Sequence, residues 1–373
     1  LRHKFKAVHV LISPDKFKGS LSASQVCDAL EKGIKKRRPK TTLTKMPLAD
    51  GGEGTLEVIQ QLHGGTWITV DTFDPLMHPI QAEYLYLADQ KTAYIEMARA
   101  SGLALLSTKE RNPLKTTTFG TGVLIADALS RGATQIILTI GGSATNDAGI
   151  GMAAALGWKF LNRDGNELTP TGESLIQIAS IAPVDLAPCA FTVVTDVENP
   201  LAGPSGAAHV FAAQKGASPA VIKQLDKGLN NIATIFGSIA SEAGAGAAGG
   251  LGAGARYFLN AKIVSGSGWV MDKVHFNRAL LKADFIITGE GKIDSSTWGG
   301  KVVSEVVKRC DKVFKQTILV SGAFESSPHF PIFLDDNEVF TISSRAKDLE
   351  DSVANAADIL EQLGEEIALK YLN

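Results

Sequence analysis

The stretch Val8-His9-Val10-Leu11-Ile12-Ser13-Pro14-Asp15-Lys16-Phe17-Lys18-Gly19-Ser20 decides the fold. Its opening is a short apolar run, the pattern of a strand buried on both faces. Its remainder is a polar turn that leads into a helical pattern over residues 22–38, with Ser20 or Ser22 as candidate N-cap and Pro39 as the stop. The run Lys35-Lys36-Arg37-Arg38 falls in the last turn of that helix, where cations complement the helix dipole. Residues 41–47 predict a second strand, followed by an acidic glycine loop and a helix over 55–63. Two successive βα units of this kind begin a doubly wound parallel sheet.

Outward from there the texture changes. Residues 67–72, 82–87 and 92–97 alternate apolar and polar positions, with Asp89-Gln90 as a hairpin turn between the last two. That is antiparallel texture, and it places a boundary near Phe73-Asp74-Pro75. Helices are predicted over 120–130, 147–156 and 221–240, and strands over 134–140 and 191–195. Residues 243–255 are a Gly/Ala run with three open readings: a flexible segment, a helix N-terminus facing a nucleotide, or close backbone packing. Strand-like runs at 283–288, 317–320 and 339–342, with helical patterns at 301–310 and 349–371, restore βα texture at the end of the chain. No repeat of solenoid period is present.

Composition sets the class. Of 373 residues, 45% are apolar and 20% charged, enough for a sizeable core and too apolar for a disordered chain. Lys and Arg number 37 against 39 Asp and Glu, a net charge of −2, so no global field favours nucleic acid or an anionic membrane. Cys27, Cys189 and Cys310 are odd in number and widely spaced, which disfavours a disulfide scaffold or zinc site and suits a reducing cytoplasm. The basic start Leu1-Arg2-His3-Lys4-Phe5-Lys6 has no long apolar run behind it, and the apolar run at 8–12 is too short for a signal core or a span. An opening Leu1 in place of Met is expected of a processed or engineered start.

Four loops carry candidate chemistry. The first, after the opening strand, offers backbone N–H groups with Lys16, Lys18 and Ser20, a set suited to anions, the alternative being a solvated turn with an N-cap. The second, Asp50-Gly51-Gly52-Glu53-Gly54-Thr55, supplies two carboxylates within a turn; an Asx turn is the rival reading. The third, Gly141-Gly142-Ser143-Ala144-Thr145-Asn146-Asp147, combines a glycine nest with neutral donors, and Asp147 either binds a metal or caps a helix. Thr116-Thr117-Thr118-Phe119-Gly120-Thr121-Gly122 has the same hydroxyl-plus-glycine character upstream. The fourth, Thr288-Gly289-Glu290-Gly291-Lys292-Ile293-Asp294, followed by Gly299-Gly300-Lys301, mixes carboxylates and ammonium groups as a metal–phosphate site requires. Asp196 follows a strand and suits a general base, a metal ligand or a turn-initiating Asp. His209 and His275 are expected to be structural.

Familiar signatures are absent: no GxxxxGK[ST], no kinase HRD or DFG set, no GxSxG and no HExxH. The GxGxxG match at 244–249 follows a helical pattern rather than a strand and fails its context test.

Taken in order, SPDKFKGSLSA (13–23), PLADGGEGT (47–55), EMARASGL (96–103), TTTFGTG (116–122), GGSATNDAGIG (141–151), TDVENPLAG (195–203), QKGA (214–217), GAAGGLGAG (246–254) and TGEGKID (288–294) resemble the bacterial-type (type 1) glycerate kinase family over essentially the whole chain. Departures are mild: Phe119 stands where the family usually has Tyr, and Ala212-Ala213 replaces Gly-Pro before Gln214. The resemblance implies an α/β fold of two domains, a flavodoxin-like doubly wound parallel-sheet domain from both chain ends (1–73 and 283–373) and an inserted mixed α/β domain (74–282), with the site in the cleft between them. It implies ATP-dependent phosphorylation of glycerate with Mg²⁺, at the 2-hydroxyl to give 2-phosphoglycerate and ADP. The alternatives are transfer to the 3-hydroxyl, a non-catalytic phosphate or nucleotide sensor, and a phosphosugar isomerase. Its partners are glycerate and ATP, with no nucleic acid and no membrane, and a homodimer is allowed.

On that basis Lys16, Lys18, Ser20, Ser143, Thr145, Asn146 and Asp147 are expected to bind phosphate or substrate, and Arg99 to meet the carboxylate of glycerate. Asp50, Glu53 and Glu290 are expected to hold Mg²⁺. Asp196 is the expected general base, with Asp50 or Asp294 able to do the same work; Asp294 is also a metal candidate. Lys292 and Lys301 are expected to stabilise transition-state charge.

Overall fold

The structure, a computed structural model, describes residues 8–326 and 339–372. The basic start at 1–6 lies outside the described residues. The chain divides into two compact units: residues up to Asp50 with those from Ser267 onward, and Gly51–Gly266 between them.

The first unit is built on a five-stranded sheet in the order Phe340–Thr341, Gln316–Phe324, Phe285–Ile293, His9–Ile12, Thr42–Lys45, every pair parallel. Numbered along the chain within this unit, that is order 5-4-3-1-2, the flavodoxin-like arrangement. Val10, Leu11 and Ile12 are fully buried, as a central strand of a parallel sheet must be. The helix Ala23–Arg37 starts at Ser22, not Ser20, through a capping box with Gln25. Lys35, Lys36 and Arg37 occupy its last turn. It packs on the C-terminal helix Ala356–Tyr371, and the two backbones approach so closely that a Cβ on Gly33 would collide with Glu361 O. Lys36 and Arg37 reach Glu365 across the same seam, both at 2.6 Å.

The second unit holds a six-stranded mixed sheet in the order Lys262–Val264, Ala190–Val194, Gln135–Thr139, Thr92–Glu96, Pro79–Leu87, Thr66–Phe73. The first four strands pair in parallel, and the last two join antiparallel, as the alternating texture predicts. The divisions at 50/51 and 266/267 differ from the expected 73/74 and 282/283. Thr66–Phe73 pairs along its full length with Pro79–Leu87 and so belongs with that sheet. The preceding helix Thr55–His63 goes with it, because Leu56 N donates to the buried Glu96 carboxylate. The expected second βα unit is therefore divided, its strand in one unit and its helix in the other.

The Gly/Ala run resolves as close backbone packing. It forms the helix Ala247–Leu259, entered through left-handed residues Ala248, Gly249 and Gly250. A Cβ on Gly249 would run into Thr145 O, so this helix lies directly against the glycine loop at 141–149. Phe119 packs edge-on against Phe73 with centroids 5.8 Å apart, an apolar use of the position where the family's Tyr is missing. Cys27, Cys189 and Cys310 are free thiols. Among the described residues no helix is long and apolar enough to cross a membrane.

The helix seam yields a direct test. Gly33→Ala forces Glu361 O to move, and overpacking of this kind costs about 1–3 kcal/mol. A lowered urea midpoint with unchanged m-value is the expected outcome; an unchanged midpoint would mean the helices are not packed backbone to backbone.

Candidate active site

Sites of open parallel sheets lie beyond the carboxyl ends of the strands, where loops lead into helices. In the first unit the turn after His9–Ile12 runs beside the strand Phe285–Ile293, because Ser13 N and Asp15 N continue the ladder to Ile287 O and Gly289 O; the expected fourth loop, up to Ile293, is the end of that strand. Lys16 lies between two carboxylates, its Nζ 3.6 Å from Asp50 and 3.9 Å from Asp15. Glu290, on the neighbouring strand, keeps one buried carboxylate oxygen without a hydrogen-bond partner, as do the hydroxyls of Ser13 and Ser321 nearby in the sheet. Burial pushes the Asp15 carboxyl up to about 7, with the charge of Asp50 adding to it and Lys16 opposing. Burial likewise raises Glu290, against Thr297 and Lys301.

Lys18 is exposed, and Ser20 Oγ donates to Val353 O at 3.2 Å. Asp294 caps the short turn Ser295–Trp298: its Oδ1 accepts from Ser296 N and Oγ, which holds its carboxyl below the usual range. Lys292 is exposed and paired with Glu325 at 2.9 Å and Asp294 at 3.2 Å. Lys301 Nζ donates to Ser296 Oγ.

In the second unit the glycine loop is tied down on every side. Gly142 O accepts from Leu103 N, Ala144 N donates to Ser101 O, and Ala148 N donates to Gly249 O. Asp147 is wholly buried and both its oxygens are taken, Oδ2 by Thr118 N, Thr118 Oγ1 and Gly151 N, and Oδ1 by Gly149 N. Burial pushes its carboxyl up while these four donors pull it down. Thr118 Oγ1 in turn accepts from Met152 N, so Thr118, within the hydroxyl-rich stretch 116–122, serves this hub. Ser143 is 7% exposed, and Thr145 and Asn146 are fully buried. Asp196, half-buried, follows the strand Ala190–Val194, and its Oδ1 accepts from Ser265 Oγ and Gly266 N just beyond the adjacent strand.

Residues 10–372 match the family model described as "Glycerate kinase family". The chain belongs to the glycerate kinase family. It is 40% identical to a glycerate kinase of Halalkalibacterium halodurans over 96% of this chain and 97% of that one. It is 42% identical to the glycerate 2-kinase of Escherichia coli over 84% of this chain and 85% of that one. A crystal structure from Salmonella typhimurium LT2, assigned as glycerate kinase 2, superposes with a TM-score of 0.80 at 38% identity, covering 98% of both chains.

Within the family frame, the structure brings Lys16, Asp50 and Glu290 into one electrostatic group and Ser143, Thr145, Asn146 and Asp147 into one loop. It does not leave Arg99 open. The guanidinium donates to Glu96 and Glu57, lies 3.9 Å from Glu83 and stacks over Trp67 at 4.7 Å. Glu53 is exposed. Asp15 carried no expected role, although it stands three residues beyond a buried strand. Lys215, in QKGA, likewise had no expected role. Among the described residues no cluster of three His, Cys, Asp or Glu has metal-holding geometry. Mg²⁺ nonetheless takes as few as one or two carboxylates beside phosphate and water oxygens. Asp50 and Glu290, with the orphaned oxygen of Glu290, are a donor set of that kind.

The raised Asp15 carboxyl makes ionisation unfavourable to folding: its contribution is absent below the unfolded value of 3.8 and grows as destabilisation until pH passes about 7. Asp15→Asn is therefore expected to raise the melting temperature at pH 8, with the gain closing as pH falls from 7 toward 4. A pH-independent difference would place Asp15 in an unstrained setting.

Proposed function

We propose that this chain phosphorylates glycerate with ATP, at the 2-hydroxyl, giving 2-phosphoglycerate and ADP. The observation that carries the reading is the group formed by Lys16, Asp15, Asp50 and Glu290 at the carboxyl edge of a flavodoxin-order sheet, in a chain of this family. Phosphoryl transfer demands positioning, cationic groups around the migrating charge and an acceptor for the hydroxyl proton.

Lys16, with Lys18 and Ser20 on the same turn, binds phosphate oxygens. Asp50 and Glu290, with Glu53 three residues from Asp50, would hold Mg²⁺, which when bound neutralises charge on the phosphates. Lys301 and Lys292 add positive charge beside Glu290 and Asp294. Ser143, Thr145 and Asn146 form the anion-binding loop on the other unit. Asp196 accepts the hydroxyl proton, and the two donors on its Oδ1 orient the carboxylate. Asp147, Asp294 and Arg99 act in this reading as positioning groups, since their polar atoms are engaged within the protein. The free thiols suit a reducing cytoplasm.

ADP release on addition of D-glycerate and Mg-ATP, with the product identified by ³¹P NMR as 2-phosphoglycerate, tests the activity. Formation of the 3-phosphate would correct the regiochemistry, and no glycerate-dependent ADP would overturn the reading. Asp196→Asn is expected to lower kcat by about 10²-fold or more while leaving the KM for ATP nearly unchanged. Near-normal turnover in that variant would remove Asp196 from the base role.

A further inference from the structure

Among the described residues one cationic side chain is sealed in the protein interior. Lys215 is 2% exposed and ends the turn Ala213–Lys215 that follows the helix Ala207–Phe211. Its Nζ reaches back to the glycine loop and donates to Ser143 Oγ and to Thr145 O, each at 2.7 Å. No carboxylate lies within ion-pair distance of it among the described residues. Asp147 acts on it through space, but the Asp147 oxygens are already taken by Thr118, Gly149 and Gly151. Charged groups on packed segments include Arg111, whose backbone abuts Gly216, His209, which lies 3.7 Å from Asp226, and Arg256, which pairs with Glu242. Beside the amine, Thr145 Oγ1 and both polar atoms of the Asn146 amide are fully buried without hydrogen-bond partners. A buried ammonium without a counter-ion and three orphaned polar atoms are each costly alone. Together they are an unbalanced polar set that an anion would complete.

We propose that Lys215 positions and charges Ser143 to recognise the carboxylate of the substrate. Because Nζ donates to Ser143 Oγ, that hydroxyl keeps its own proton to donate outward, with the buried positive charge directly behind it. A single cation with neutral donors matches a monoanion. A triphosphate calls for the several lysines and carboxylates of the other unit. The assignment also fills the role that Arg99, held by Glu96 and Glu57, does not take. It rests on the reading of residues 141–146 as an anion site.

Burial pulls the Lys215 amine down to about 7, so the free protein holds it partly neutral at physiological pH. Carboxylate binding favours the ammonium and draws in a proton. Glycerate itself stays ionised throughout this range, so the pH dependence belongs to the protein.

The test is equilibrium binding of D-glycerate to the full chain by calorimetry, with and without Mg-ADP, from pH 6.5 to 9 in buffers of different ionisation enthalpy. The wild type is expected to take up nearly one proton per glycerate at pH 8. Its Kd should rise toward tenfold per pH unit above 7. Lys215→Met is expected to bind weakly with no pH dependence, and Lys215→Arg, charged at every pH, to recover affinity with a flat profile. Ser143→Ala retains the buried amine and guards against a folding defect in the Lys215 variants; it should weaken binding at all pH values. Binding by the wild type that is flat in pH and free of proton uptake overturns the role of Lys215. Unchanged affinity in Ser143→Ala overturns the loop reading, and no glycerate binding at all overturns the proposed function with it.

Discussion

A carboxylate sealed away from water holds the second unit's loop in shape. Asp147 gathers Thr118 N, Thr118 Oγ1, Gly149 N and Gly151 N around two oxygens, and in doing so fixes the turn from strand to helix. A buried charge survives only when its lone pairs are answered, so every one of those donors must stay where it is. Ser143, Thr145 and Asn146 precede this hub without a break, and their positions are set by it. The Gly/Ala helix entry presses on the same loop from outside, where Gly249 leaves no room for a side chain against Thr145 O. The loop is thus preorganised from both ends, which is what a site needs if binding is not to be wasted on ordering it.

The first unit shows the opposite economy. Asp15, Asp50 and Glu290 crowd like charges together with Lys16 as the near cation, and burial, reinforced by those charges, raises the Asp15 carboxyl. Such an arrangement is poor for stability and useful for a site that receives cationic charge.

Much of this was legible in the chain. Buried strands at 8–12, 134–140, 191–195 and 283–288 announced themselves by apolar runs, and the loops after them by glycine beside charge. The three alternating strands were readable by period alone. What failed to read were properties of pairing between distant residues. Thr66–Phe73 looked like a place to divide the chain because its texture changed there, whereas the ladder to Pro79–Leu87 binds it into the second sheet. Arg99 looked available because Glu57 and Glu83 lie far from it in sequence. Lys215 looked like an ordinary polar residue, since nothing local reveals that it ends fully buried against a loop 70 residues upstream. Asp294, read as a reactive acid, is a cap, an outcome its Ser-Ser-Thr continuation already permitted.

The central claim is that the protein keeps a buried amine uncompensated until an anion arrives. The most direct measurement follows Lys215 by ¹³C NMR of ε-labelled lysine, assigned with Lys215→Arg, as pH is varied. The account predicts a titration near 7 in the free protein, displaced upward when glycerate saturates it. A Lys215 resonance that titrates near the ordinary lysine value of 10.5 in both states would contradict it.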